Sequence, residues 1–164
     1  MTINEDTSHI PDHIQGGCQC GNIRFTLTSE PIVVYACHCI DCQKQSSSAF
    51  GLSVWIRRDD FNIDQGSPGL WQTIAESGNP KTGAYCRDCG SRIYHAFNSE
   101  DEILSVKGGA LDSARALNPV ANIWLRSAQE WIKPKLLDMP GYQTEPDSFD
   151  EIVALYRSEN KGNK

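Results

Sequence analysis

The sequence predicts a mainly β domain of short antiparallel strands with a short C-terminal helix, and three observations carry that prediction. Apolar side chains repeatedly alternate with polar ones, the period of a strand buried on one face. Gly, Pro, Ser and Asn punctuate the chain at short intervals, leaving no room for long helical periodicity between strands. Seven cysteines fall into three clusters, too few and too grouped to be core filler.

Residues 1 to 15 are polar and acidic, with Asn4, Glu5, Asp6 and Pro11, and read as a mobile tail ahead of a single domain spanning 16 to 164. Ile23, Phe25 and Leu27 alternate with Arg24 and Thr26 as a first strand, and Ile32-Val33-Val34-Tyr35 is a more buried second one. Gln43 to Ser48 is expected as a loop or a single helical turn. Phe50, Leu52, Val54 and Ile56 give a third strand that ends at Arg57-Arg58. After the turn Gly66 to Gly69, Leu70 to Ala75 is a strand. Thr82 to Tyr85 and Arg92 to His95 flank Cys86 to Gly90 as a hairpin with a knuckle at its tip. Ile103 to Lys107 and Ile123-Trp124-Leu125 complete the strands. Ser148 and Glu151 fit a capping box, and Ile152, Leu155 and Tyr156 recur at helical spacing.

Composition narrows the partners. With 164 residues, 39% of them hydrophobic, the chain can bury its own core. A net charge of -6 argues against a nucleic-acid surface, which needs a basic face. No apolar run is long enough to span a bilayer, and the first 15 residues lack the apolar stretch of a signal peptide. A cytoplasmic location and a small-molecule partner are the expectations, with the oligomeric state open.

An odd number of thiols cannot all pair, and a reducing compartment keeps them free, so metal ligation is the better reading. Cys18-x-Cys20 and Cys86-x-x-Cys89 are each half of a closed four-cysteine zinc site. That leaves Cys37, Cys39 and Cys42 as three soft ligands without a fourth cysteine, a set that keeps one zinc position for water or substrate. Alternatively, His38, Asp41 or the more distant His95 completes a second inert site, or the halves pair differently. Cys39-x-x-Cys42 and Cys86-x-x-Cys89 also match a dithiol couple, but the neighbouring Cys-x-Cys and the β setting weigh against redox chemistry.

The ordered motifs Gly17-Cys18-Gln19-Cys20-Gly21, Cys37-His38-Cys39-Ile40-Asp41-Cys42 with Phe50, and Tyr85-Cys86-Arg87-Asp88-Cys89-Gly90-Ser91 closely resemble the glutathione-dependent formaldehyde-activating enzyme (GFA) family, also called the CENP-V/GFA family. Gly108 to Asp112 and Asn122 to Ser127 with Trp131 resemble that family's C-terminal signature. The resemblance implies an Mss4-like β-tent, a closed zinc on Cys18, Cys20, Cys86 and Cys89, and an open zinc on Cys37, Cys39 and Cys42 as the catalytic centre. It implies a carbon-sulfur lyase similar to S-(hydroxymethyl)glutathione synthase, joining glutathione or a related thiol to a small aldehyde such as formaldehyde. Lys44, Arg57, Arg58 and Arg126 are candidate clamps for the glutathione carboxylates, while Trp55, Trp71 and Trp124 are read as packing. The competing class is a non-catalytic zinc-stabilised glutathione carrier or protein-interaction module.

Overall fold

The computed structural model describes residues 13–97, 102–133 and 138–160. Its strands are β1 Ile14–Gly17, β2 Arg24–Leu27, β3 Val33–Cys37, β4 Gly51–Arg57, β5 Phe61–Gln65, β6 Gly69–Ile74, β7 Pro80–Tyr85, β8 Arg92–Ala96, β9 Ile103–Lys107 and β10 Asn122–Ile123, with helices α1 Ile40–Ser46 and α2 Asp150–Asn160. They form a three-stranded sheet, β1-β2-β5, and a seven-stranded sheet, β10-β3-β4-β9-β8-β7-β6. The mainly β expectation holds, C-terminal helix included.

Strand register separates the two faces of the large sheet. Val34, Val54, Val106, Tyr94 and Ala84 are successive cross-strand partners, so they share one face. That row is apolar and meets the small sheet, where Phe61 bridges Tyr94 at 5.1 Å and Phe25 at 5.0 Å between ring centroids. Phe25, Leu27, Val34, Val54, Ile56 and Val106 are wholly buried there. The next row, Trp55, Ser105, His95, Gly83 and Trp71, lies on the opposite face, as do Tyr35, Ser53 and Lys107. Polar groups collect on this second face because the first already forms the core.

Four local expectations need correction. The ordered chain starts earlier than Gly16: Ile14 opens β1 at 2% exposure, because its side chain pairs into the core opposite Leu27. Residues 1–12 of the expected tail lie outside the described residues. β5 was not foreseen, because Asn62, Asp64 and Gln65 leave only Phe61 and Ile63 to signal a strand at the edge of the small sheet. α1 spans seven residues and starts inside the cysteine cluster, rather than being a loop or single turn over Gln43 to Ser48; Cys39 caps it, its Sγ accepting the Cys42 N–H at 3.4 Å. β10 stops at Ile123 because Trp124 turns left-handed at φ 62°, and β10 runs parallel to β3 in an otherwise antiparallel sheet.

The C-terminal segment reaches the second face by following β10. Asn122 and Trp124 donate their N–H groups to Pro140 and Thr144 carbonyls, at 2.8 and 3.1 Å, and Tyr142 N–H returns to the Asn122 carbonyl at 2.9 Å. Ser148 then starts α2, its hydroxyl accepting the Asp150 N–H at 3.1 Å, and Ile152 and Tyr156 bury the inner side of the helix. Among the described residues, no helix is long and apolar enough to cross a membrane.

Candidate metal centre

Two thiol clusters form, one from distant parts of the chain and one within six consecutive residues. Cys18 and Cys20 lie in the turn after β1, and Cys86 and Cys89 at the tip of the β7–β8 hairpin; all four Sγ atoms lie within 4.8 Å of one another. The tip folds tightly because Gly90, at φ 75°, donates its N–H to the Cys86 carbonyl at 3.0 Å. Ile23 N–H points at Cys18 Sγ at 3.2 Å, and the Ser91 hydroxyl meets Cys89 Sγ at 3.2 Å. The Ser91 hydroxyl, with its backbone N–H, lowers the Cys89 thiol to about 5. Sulfurs on a tetrahedral zinc stand about 3.8 Å apart, given a Zn–S bond of about 2.3 Å. Cys18 to Cys20 at 3.4 Å and Cys20 to Cys86 at 3.7 Å fit that geometry.

The second cluster is Cys37 at the end of β3, Cys39 at the cap of α1 and Cys42 in its first turn, again within 4.8 Å of one another. All three are buried, at 5 to 8% exposure. No His, Asp or Glu among the described residues joins them. His38 is fully buried with Nε2 on Asn122 Oδ1 at 3.0 Å and its ring against Phe50. Asp41 binds Lys81 Nζ at 2.6 Å, and His95 Nδ1 accepts from Lys107 Nζ at 3.0 Å. Asp41 and His95 are thus engaged elsewhere, and His38, whose Nδ1 is buried without a hydrogen-bond partner, does not group with the three sulfurs. Three soft sulfurs in this arrangement suit zinc while leaving one tetrahedral position unfilled by protein.

The cluster opens on a cavity of about 370 Å³ on the polar face of the large sheet. Lys81, His95 and Lys107 line it, together with Tyr35, Trp55, Trp124 and Phe149. Burial drives His95 well below the usual histidine range, and the cations of Lys107 and Lys81 push it the same way, so the imidazole is neutral and accepts from Lys107. Burial also lowers Lys107, opposed by the Cys42 thiolate. Within the trio, Cys42 is the favoured thiolate because Cys37 and Cys39 donate hydrogen bonds to it, and Cys37 is correspondingly pushed up. A second cavity, of about 530 Å³, touches Cys18, Cys42 and Lys107 from elsewhere and carries Arg24 and Arg92.

The four basic residues expected to hold carboxylates fare unequally. Lys44 and Arg57 are exposed, and neither they nor Arg58 line these cavities. Lys44 projects from the outer side of α1. Arg57 stands six residues along β4 from Gly51, the partner of Cys37, which is about 20 Å at strand rise. Arg126 does not line the cavities either, but it pairs with Glu76 at 3.2 Å and stacks over Trp124 at 4.6 Å, both of which line the smaller cavity. Trp55 and Trp124 line the cavity as well as packing, whereas Trp71 lies over Gly83 beside Arg92.

Lys81 and Lys107 were missed as site residues. Lys107 ends a strand whose Ser105 shares its face, and that polar alternation is the signal that was available. Lys81 shares the second face with Gly83 two residues on, beside Trp71, and its ion pair with Asp41 turns it to the cavity.

Among solved structures, a crystal structure of a Rhodobacter sphaeroides protein is similar to this chain, with 18% identity, 78% of this chain and 98% of that one covered, and a TM-score of 0.47. The family model described as glutathione-dependent formaldehyde-activating enzyme matches residues 13–127, which takes in both thiol clusters, and the chain belongs to that family.

Proposed function

We propose that this chain is a zinc-dependent carbon-sulfur lyase that forms or cleaves the adduct between glutathione, or a related thiol, and a small aldehyde such as formaldehyde. One observation carries the reading: three buried sulfurs converge beside a cavity with no fourth donor among the described residues. Cys18, Cys20, Cys86 and Cys89 would hold a structural zinc, and Cys37, Cys39 and Cys42 the reactive one. Zinc at the three-sulfur position supplies a Lewis acid that keeps a substrate thiol ionised at neutral pH.

The reaction joins the thiol sulfur to the carbonyl carbon, the C=O π pair moves to oxygen, and the proton lost by the thiol ends on that oxygen. Lys107 projects into the cavity as a donor for the developing oxyanion, and neutral His95 holds its Nζ in place. Asp41 fixes Lys81 and, through α1, the position of Cys42. Arg92 in the larger cavity is the cation available to a glutathione carboxylate, since Arg24 is paired with Asp112 and Arg126 with Glu76. The seven unpaired thiols suit a reducing, cytoplasmic setting.

The test is exchange NMR between formaldehyde hydrate and S-hydroxymethylglutathione, a reaction that also runs unaided. The zinc-loaded protein should accelerate exchange in proportion to its concentration, and Cys39→Ser should abolish that increment with the fold retained. Equal exchange rates with and without the protein would overturn the proposal.

A further inference from the structure

Part of the cavity lining is an aromatic cluster. Trp55 and Phe149 ring centroids are 4.3 Å apart at 34°, Tyr35 meets Trp55 edge-on at 5.7 Å, and Tyr35 meets Phe149 at 5.6 Å. Trp124 and Phe97 continue the lining. Formaldehyde has one carbon and one oxygen and fills about twice the ~30 Å³ share of a single water. A cavity of about 370 Å³, in the range of sites that enclose a drug-sized ligand, has room beside the thiol sulfur for an aldehyde larger than formaldehyde.

Charge narrows the occupant further. Lys81 is committed to Asp41, Lys107 is the donor to the carbonyl oxygen, and Glu145 and the Arg126-paired Glu76 also line this cavity, so no uncommitted cation is left in it for a substrate carboxylate. An uncharged planar group needs none, and ring faces and edges attract it. Tyr35, Trp55, Phe97 and Trp124 lie within residues 13–127, whereas Phe149 and Glu145 come from a part of the chain that the family match does not cover. The pairing of the 140–144 segment with β10 delivers them to the zinc-capable trio.

We propose that the aldehyde half of the substrate is an uncharged aromatic aldehyde, its ring held against Trp55 and Phe149 and its carbonyl directed to Cys37, Cys39 and Cys42, with Phe149 as the residue that sets this preference. This rests on the thiol-aldehyde reading given above. In the step, the thiol sulfur bonds to the aryl carbonyl carbon, the π pair passes to oxygen, and the thiol proton ends there, giving an aryl hemithioacetal.

Stable thioethers test the assignment without turnover. Binding of S-benzylglutathione and S-methylglutathione to the zinc-loaded full chain is followed by quenching of Trp55 and Trp124 fluorescence, alongside benzaldehyde alone, in wild type, Phe149→Leu and Phe149→Ala. The benzyl ether should bind about tenfold more tightly than the methyl ether. Phe149→Leu, which keeps apolar bulk for folding, should shrink that ratio to about threefold or less, with Phe149→Ala lower still. Equal affinities of the two ethers for wild type, or an unchanged ratio in Phe149→Leu, would overturn the aromatic assignment and leave the thiol reading standing. If neither ether binds but benzaldehyde does, and Phe149→Leu abolishes it, the aromatic site holds and glutathione is the wrong thiol. If nothing binds, both readings fall.

Discussion

Replacing Asp41 by Asn removes the partner of a cation that has almost no access to water. Lys81 is 5% exposed, Asp41 is 32% exposed, and their charged atoms are 2.6 Å apart. Breaking a fully buried pair by removing one member costs about 3–5 kcal/mol, chiefly because the survivor stays charged and desolvated. Water reaching Asp41 reduces what the carboxylate contributes, so the expected loss for Asp41→Asn is about 2–3 kcal/mol. Lys81→Met should cost less, about 1 kcal/mol, because the remaining carboxylate is accessible to solvent and a methionine fills the space beside Trp71. The double variant should recover most of the loss of Asp41→Asn. Urea unfolding of the zinc-loaded proteins at fixed pH measures all three, and the asymmetry is the sharp part. A cost below about 0.5 kcal/mol for Asp41→Asn, or a larger cost for Lys81→Met than for Asp41→Asn, would refute the reasoning.

Other substitutions test separate parts of the account. Cys86→Ser opens the four-sulfur site that ties the β1–β2 turn to the β7–β8 tip, and a structural zinc contributes about 10 kcal/mol or more, so this variant should be unfolded by far-UV circular dichroism. Cys39→Ser should stay folded and carry one zinc per chain by elemental analysis, since α1 and β3 retain their backbone pairing. Gly66→Ala should cost about 2 kcal/mol or more in urea unfolding, because φ is +81° and the added Cβ would sit 2.2 Å from the Asn22 carbonyl. Gly78→Ala, at φ +88° in open space, should cost only about 1 kcal/mol. The depressed His95 value implies that the unfolded chain takes up a proton below about pH 6.5 that the native state refuses. This contribution to stability is complete above about pH 6.5 and is lost as pH falls towards the native value, at up to about 1.4 kcal/mol per pH unit. His95→Gln should therefore show a shallower stability loss than wild type between pH 7.5 and 5.5 in paired urea titrations.

What could be read from the chain follows the range of the interactions involved. Strands whose alternation is local were legible: β2, β4 and β9 each carry their pattern in consecutive residues, and the knuckle at Cys86 to Gly90 is announced by its own spacing. The division of seven sulfurs into four and three was legible because ligand count is a property of the sequence. β5 was hidden, as an edge strand with only one ladder to satisfy tolerates Asn62, Asp64 and Gln65. The left-handed Trp124 and the parallel pairing of β10 have no local marker either, being imposed by contacts with β3 and residues 140–144. Which basic residues reach the cavity is hidden for a related reason. Lys44 is close to Cys42 in sequence but on the outer side of α1, whereas Lys107 is 65 positions from Cys42 and lines the same cavity.

The account depends on three sulfurs from Cys37, Cys39 and Cys42 leaving one zinc position to substrate. Zinc-edge X-ray absorption on the two-zinc protein, with and without glutathione, measures this directly. The mean sulfur coordination should rise from the average of four and three per zinc to four at both when the thiol is added. Four protein ligands at both zincs before addition, with no change on adding glutathione, would contradict it.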